Sequence, residues 1–149
     1  MSTELTTRQI SDLPTDIQVL IDESSIEGYR MIQRLKDEWD SGSNRFSKSG
    51  EAIWEVRHDG KLIGIGGLNQ DPYSDGESVG RVRRMYVSKI KRRSGAGRVI
   101  VEHALEHAAS RFQSVRVRST PEAELFYDAL GFARTDNVPD VTHELHFSV

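Results

Sequence analysis

Two hydrophobic rhythms run along this chain. Ala52–His58 (AIWEVRH) places Trp54 and Val56 on one face and Glu55 and Arg57 on the other, the period of a half-buried strand. Asp59-Gly60 follows, a pair suited to a two-residue hairpin turn, and Lys61–Leu68 reads as the return strand. Its glycines at 64, 66 and 67 weaken a strand unless something packs close to the backbone. Leu5–Ile10, Val82–Val87 and Ser114–Arg118 predict three more strands. Phe132 onward and Thr142–Phe147 supply the last ones.

The second rhythm is helical. Leu13-Pro14-Thr15 opens one such region, with Thr15 and Gln18 spaced as a capping box. Ile17, Leu20 and Ile21 make its apolar stripe, and Ile32, Leu35 and Trp39 continue it to about Asp40, with Gly28 predicted to break or kink it. Ser41–Asn44 and residues 69–80 read as loops. Val101, Ala104, Leu105, Ala108 and Phe112 share one face of a second helix. Thr120-Pro121-Glu122 has the form of a helix start, with Thr as N-cap and Pro in the first turn; Gly131 ends that helix after Phe126, Tyr127 and Leu130. The order β, long helical region, ββ, β, α, β, α, ββ predicts an α/β (α+β) fold with one layered sheet. The 149 residues suit a single domain, 1–149.

Composition removes several chemistries. The chain has no cysteine, so disulfides, thiolate metal sites and cysteine nucleophiles are excluded. No stretch reaches the roughly 18 apolar residues of a membrane helix, and the first residues lack a signal-peptide core, so a cytoplasmic protein is expected. No metal site is expected.

Charge alters the picture. The formal net charge is -3, but Arg81–Arg98 (RVRRMYVSKIKRRSGAGR) holds eight basic residues and no acid. The remainder carries 12 basic and 23 acidic residues, a net of -11. A local positive island in an acidic chain points to an anion site. It lies on a strand followed by Arg92-Arg93-Ser94-Gly95-Ala96-Gly97 and a helix start. Glycines there let a ligand approach the backbone, and the first helical turn offers unpaired N–H groups. A phosphate or pyrophosphate suits such a loop; a plain turn on a basic surface is the alternative. No Gly-Lys-Ser/Thr triplet exists for a P-loop, and Ile100 stands where a dinucleotide fingerprint needs Gly or Ala.

Arg92-x-x-Gly95-x-Gly97 follows a strand ending Arg84-Met85-Tyr86-Val87. About 30 residues later comes Ala123-Glu-Leu-Phe126-Tyr127-Asp-Ala-Leu-Gly131-Phe132. Together these resemble the GNAT superfamily of acyl-CoA-dependent N-acyltransferases, over nearly the whole chain. The resemblance implies a central mixed, mostly antiparallel sheet with helices on both faces and a splayed fourth strand, here Val82–Val87. It implies acetyl-CoA as co-substrate and an amine-bearing acceptor, small molecule or peptide. It implies main-chain contacts to the pantetheine arm at Met85, Tyr86 and Val87. The pyrophosphate would lie on the amides of Arg93, Ser94, Gly95, Ala96, Gly97 and Arg98, with charge from Arg92, Arg93 and Arg98. Phe126 would sit beside the coenzyme, and Tyr127 would act as general acid. The family often has Asn where this chain has Thr120. A homodimer is common in the family.

Taken from periodicity alone, Tyr127 is a core aromatic. The family's fourth-strand Glu has no counterpart here, leaving Glu77 and Glu55 as candidate bases beside their reading as surface carboxylates. His58, His103 and His107 show no partner. Alternation predicts Arg81 and Arg83 on one face of their strand and Arg84 on the other. Two rival readings are a module that binds RNA or phosphate through the island and a coenzyme-binding sensor without catalysis. Only Tyr86 interrupts the island with an aromatic, which disfavours RNA.

Overall fold

The computed structural model describes residues 4–147. Period-two segments become a seven-stranded sheet: β1 (Leu5–Gln9), β2 (Ala52–His58), β3 (Lys61–Gln70), β4 (Val79–Val87), β5 (Ser114–Val117), β6 (Ala133–Arg134) and β7 (His143–His146). Its order is β1-β2-β3-β4-β5-β7-β6. Every neighbour is antiparallel except β4 and β5. The expected mixed, mostly antiparallel sheet is therefore present. Asp59 (φ 49) and Gly60 (φ 81) make the hairpin turn between β2 and β3, both in the left-handed region that this turn demands.

Helices cover both faces. The first helical region divides into α1 (Gln18–Ile26) and α2 (Met31–Ser41), separated at Gly28, whose φ is 87. Ile17, Leu20, Ile21, Ile32 and Leu35 pack on Ile53, Ile65 and Tyr86. On the opposite face, α3 (Ala96–Ala109) and α4 (Glu124–Ala129) pack on Trp54, Val82, Val115 and Val117. Each such fully buried aliphatic side chain stabilises by roughly 1.5–3 kcal/mol, so the two apolar faces hold the layers together.

Several local expectations fail. Thr15 forms no capping box: α1 starts after Ile17, with no side-chain cap. Thr120 does not cap either; Pro121–Ala123 is a 3-10 turn, and the carbonyl of Thr120 accepts from the Ala123 amide at 3.0 Å. The glycines of β3 are explained by the protein's own side chains. A Cβ on Gly66 would lie 2.5 Å from the Met85 sulfur, and one on Gly67 would lie 2.3 Å from the Phe46 ring.

The sharpest departure is in β4. Ile65 pairs with Tyr86 but Gly67 pairs with Arg83, so Arg84 and Met85 together oppose Gly66. This bulge holds Arg84 at φ 59, a region that costs a non-glycine residue about 1–2 kcal/mol. Two hydrogen bonds from Arg84 to Glu38 Oε1 of α2, at 3.0 and 2.8 Å, offset that cost. The extra residue also cancels the alternation: Arg84 turns toward α2, while Met85 turns toward α3. Arg81, Arg83 and Arg84 thus lie on one side of the sheet, contrary to the simple period-two expectation.

Candidate active site

Strands β4 and β5 pair only from Val79 to Arg81 against Ser114 to Arg116, and beyond that they part. The main chain of β4 from Val82 to Val87 is left without a strand partner on that edge. The splay opens a cavity of about 790 Å³ bordered by the starts of α2 and α3 and by α4. Val82, Met85, Tyr86 and Val87 form its floor.

At one end stands the turn into α3. Arg93 (φ 68) and Gly95 (φ 92) are both left-handed, which turns the chain sharply into the helix. Among the described residues, the amides of Arg93, Gly95, Ala96, Gly97 and Arg98 have no protein acceptor. They form the positive end of a 14-residue helix. Ser94 differs, since its amide and hydroxyl both donate to the Lys91 carbonyl. Ala96 is buried against Ile100 and Val56 and contributes through its backbone.

At the other wall stands α4. Phe126 lines the cavity and packs near Gly97, and its ring meets Tyr127 edge-on at 5.0 Å. Tyr127 is 4% exposed, wedged against Phe132 and His143, yet it also lines the cavity. Burial pushes its phenol pKa upward. Its hydroxyl has no hydrogen-bond partner among the described residues. His143, fully buried, contacts Asp128 Oδ1 through Nε2 at 2.9 Å and ties α4 to β7. Thr120 lines the cavity through a side chain that makes no hydrogen bond.

The basic island is less free than its sequence implies. Arg81 bonds buried Asp71 at 2.9 Å, Arg84 bonds Glu38, and Arg98 pairs with Glu102 at 3.5 Å. Arg92 is held by both oxygens of Glu27, at 2.9 and 2.6 Å, and lies 5.5 Å over the Tyr86 ring. The Tyr86 hydroxyl in turn donates to Glu27, which fixes the end of α1 beside the α3 turn. Of the three arginines expected to add charge to the loop, only Arg93 has no acidic partner among the described residues.

The two carboxylates singled out as bases do not reach the cavity. Glu55 is 3% exposed within β2 and is bound to Arg57 at 2.7 Å, with Arg8 beside it at 3.6 Å. Glu77 is exposed in the loop before β4. His58 lies near Asp59, while His107 meets Trp54 edge-on and His103 lies tilted beside it. The carboxylates that do line the cavity are Glu122 and Asp140, with Tyr29, Arg34, Arg118 and Ser119 nearby. Glu122 accepts from the Tyr29 hydroxyl at 3.4 Å, and Asp140 from Arg118 at 3.0 Å. Glu122 belongs to the Thr120-Pro121-Glu122 helix start, but that motif did not mark it as a cavity residue; chain segments far apart bring the set together. The Gly28 break beside Tyr29 and the helix start at Thr120-Pro121-Glu122 were the signals the sequence offered.

The family described as acetyltransferase (GNAT) domain matches residues 22–147, and the chain belongs to it. A proposed acetyltransferase from Exiguobacterium sp. 255-15 superposes with a TM-score of 0.86 at 23% identity, covering 96% of this chain and 93% of that one. Glucosamine-6-phosphate N-acetyltransferase from Arabidopsis thaliana gives 0.61 at 17% identity, over 91% and 95%. Ribosomal-protein-alanine N-acetyltransferase from Brucella melitensis gives 0.70 at 14%, over 95% and 99%. None of the curated proteins matches the sequence. The protein is an N-acetyltransferase of the GNAT family, and the same fold serves quite different acceptors. Among the described residues no helix is long and apolar enough to cross a membrane, and no cluster of metal-ligating side chains occurs.

Proposed function

We propose that the protein moves an acetyl group from acetyl-CoA to a primary amine by direct attack within a ternary complex. One observation carries this reading. A single cavity joins an amide-lined helix start, an unpaired strand edge and a buried tyrosine hydroxyl. These fit the coenzyme's three parts: pyrophosphate, amide-bearing arm and thioester.

Acetyl-CoA supplies the activated acetyl group when bound. The amides of Arg93 and of residues 95–98 hold its phosphates, with Arg93 adding charge. The main chain at Met85 and Val87 orients the arm and polarises the thioester carbonyl. Tyr127 stays protonated at neutral pH and donates its proton to the departing sulfur. With no cysteine in the chain, no cysteinyl thioester precedes the transfer. Both carboxylates on the cavity wall are engaged by donors, so we assign removal of the amine proton to water.

The test is Tyr127→Phe, assayed by thiol release from acetyl-CoA with an amine panel and by calorimetric coenzyme binding. The expected result is a loss of about a hundredfold in kcat, with affinity for acetyl-CoA within threefold of the parent. Unchanged kcat would remove Tyr127 from the acid role.

A further inference from the structure

The side of β4 that faces α2 carries three guanidinium groups, and the fold neutralises two of them. Arg84 is bound to Glu38. Arg81 bonds Asp71 through Nε at 2.9 Å and the Asp140 carbonyl through Nη1 at 2.8 Å. Arg83, between them, has no acidic partner among the described residues. Its one polar contact is Nη1 to Asn69 Oδ1 at 3.4 Å, at the long limit for a hydrogen bond. It is half-buried and lines the cavity.

A second, independent observation lies two residues away. Arg81 is 4% exposed, and its Nη2 is buried without any hydrogen-bond partner. It lines the same cavity and shares the face of Arg83. Buried N–H donors are rarely left unpaired, least of all on a charged group. The acids on the cavity wall do not compensate. Asp140 is held by Arg118, and Glu122 bonds Tyr29. Burial, and then the neighbouring Arg84, also push Arg83 below the ordinary guanidinium range, with Glu38 opposing them only in part.

We propose that the acceptor amine carries an oxyanion, carboxylate or phosphate, and that Arg83 binds it with its free guanidinium edge, the buried Arg81 beside it adding positive charge. The inference rests on the acetyl-transfer reading above and narrows it to a substrate class. A guanidinium presents parallel N–H groups that match either oxyanion, so the shared chemistry is a planar donor pair facing two oxygens. The amine of such a substrate is then aimed along β4 toward the open edge at Met85 and Val87.

The experiment uses three matched pairs of amines: an α-amino acid and its amide, glucosamine 6-phosphate and glucosamine, and phosphoethanolamine and ethanolamine. Thiol release is followed at saturating acetyl-CoA. The anionic member of at least one pair is expected to have a kcat/KM about tenfold or more above its neutral partner. The pair that responds distinguishes carboxylate from phosphate. Arg83→Gln is expected to bring that ratio to within about threefold, mainly through KM, and Arg83→Lys to keep part of it. Equal use of both members in all three pairs overturns the inference. So does an unchanged ratio in Arg83→Gln protein that still binds acetyl-CoA. Acetyl-CoA binding without transfer to any of the six amines overturns the acceptor class if a wider, uncharged amine panel is acetylated, and the acetyl-transfer reading if it is not. Absence of acetyl-CoA binding by the parent overturns the acetyl-transfer reading itself.

Discussion

Glu27 grips Arg92 with both carboxylate oxygens, at 2.9 and 2.6 Å, across 65 residues of sequence. Arg92 leads the motif that points to a phosphate-binding loop, yet its charge is engaged at the end of α1. Arg92→Ala is therefore expected to act chiefly on α1 docking. The pair is part-exposed and worth about 1 kcal/mol at most, or a Tm fall of roughly 2–4 °C. Coenzyme affinity should change less than threefold. Arg93→Ala should weaken it about tenfold with Tm unmoved. Calorimetry and thermal melts on both variants check this, and the reverse ranking would contradict it.

Gly95 separates strain from charge. It sits at φ 92 with nothing within 4 Å of an added Cβ. Gly95→Ala is expected to cost about 1–2 kcal/mol in folding through its left-handed backbone alone. Gly95→Asp adds a negative charge at the proposed phosphate position. Two like charges 4 Å apart at an effective dielectric of 20 repel by about 4 kcal/mol, so acetyl-CoA binding should fall by a hundredfold or more. Retained binding in Gly95→Asp would move the pyrophosphate elsewhere.

Tyr127 also sets a pH expectation. Burial raises its pKa above the ordinary phenol value near 10, so the acid keeps its proton through that range. The kcat should stay level between pH 8 and 10, while kcat/KM climbs with the neutral fraction of the acceptor amine. A kcat that halves below pH 10 would count against Tyr127 as the acid.

Asp128 links α4 to acid stability. Arg134 bonds it at 2.8 Å and His143 at 2.9 Å. The hydrogen bond from Arg134 is the main cause that holds its pKa below the usual carboxylate range, with His143 adding to it. A carboxyl depressed in the folded state stabilises above its unfolded pKa, near 4, and that contribution vanishes as pH falls through the folded value. Asp128→Asn should therefore lower Tm at pH 7, and the gap to the parent should narrow steadily as pH falls below about 4. A gap that stays constant between pH 7 and the acid end of the melts would mean that ionisation of Asp128 is not its source.

Read alone, the sequence determined the order of elements, because hydrophobic periodicity and the turn residues Asp59-Gly60, Gly28 and Gly131 act locally. It also determined the amide-rich turn at Gly95 and Gly97 and the absence of thiol chemistry, which need no partner from elsewhere. The tertiary structure decided which charges remain free. Arg81, Arg84 and Arg92 are neutralised by Asp71, Glu38 and Glu27, at separations of 10, 46 and 65 residues. Only packing selects such pairs, since Coulomb attraction depends on distance in space and not along the chain. Packing likewise placed Glu55 beneath Arg57 and away from the cavity, and brought Glu122 and Asp140 to its wall. One extra residue at the Arg84 bulge reversed a face that alternation had assigned, leaving Arg83 as the unneutralised cation of its strand.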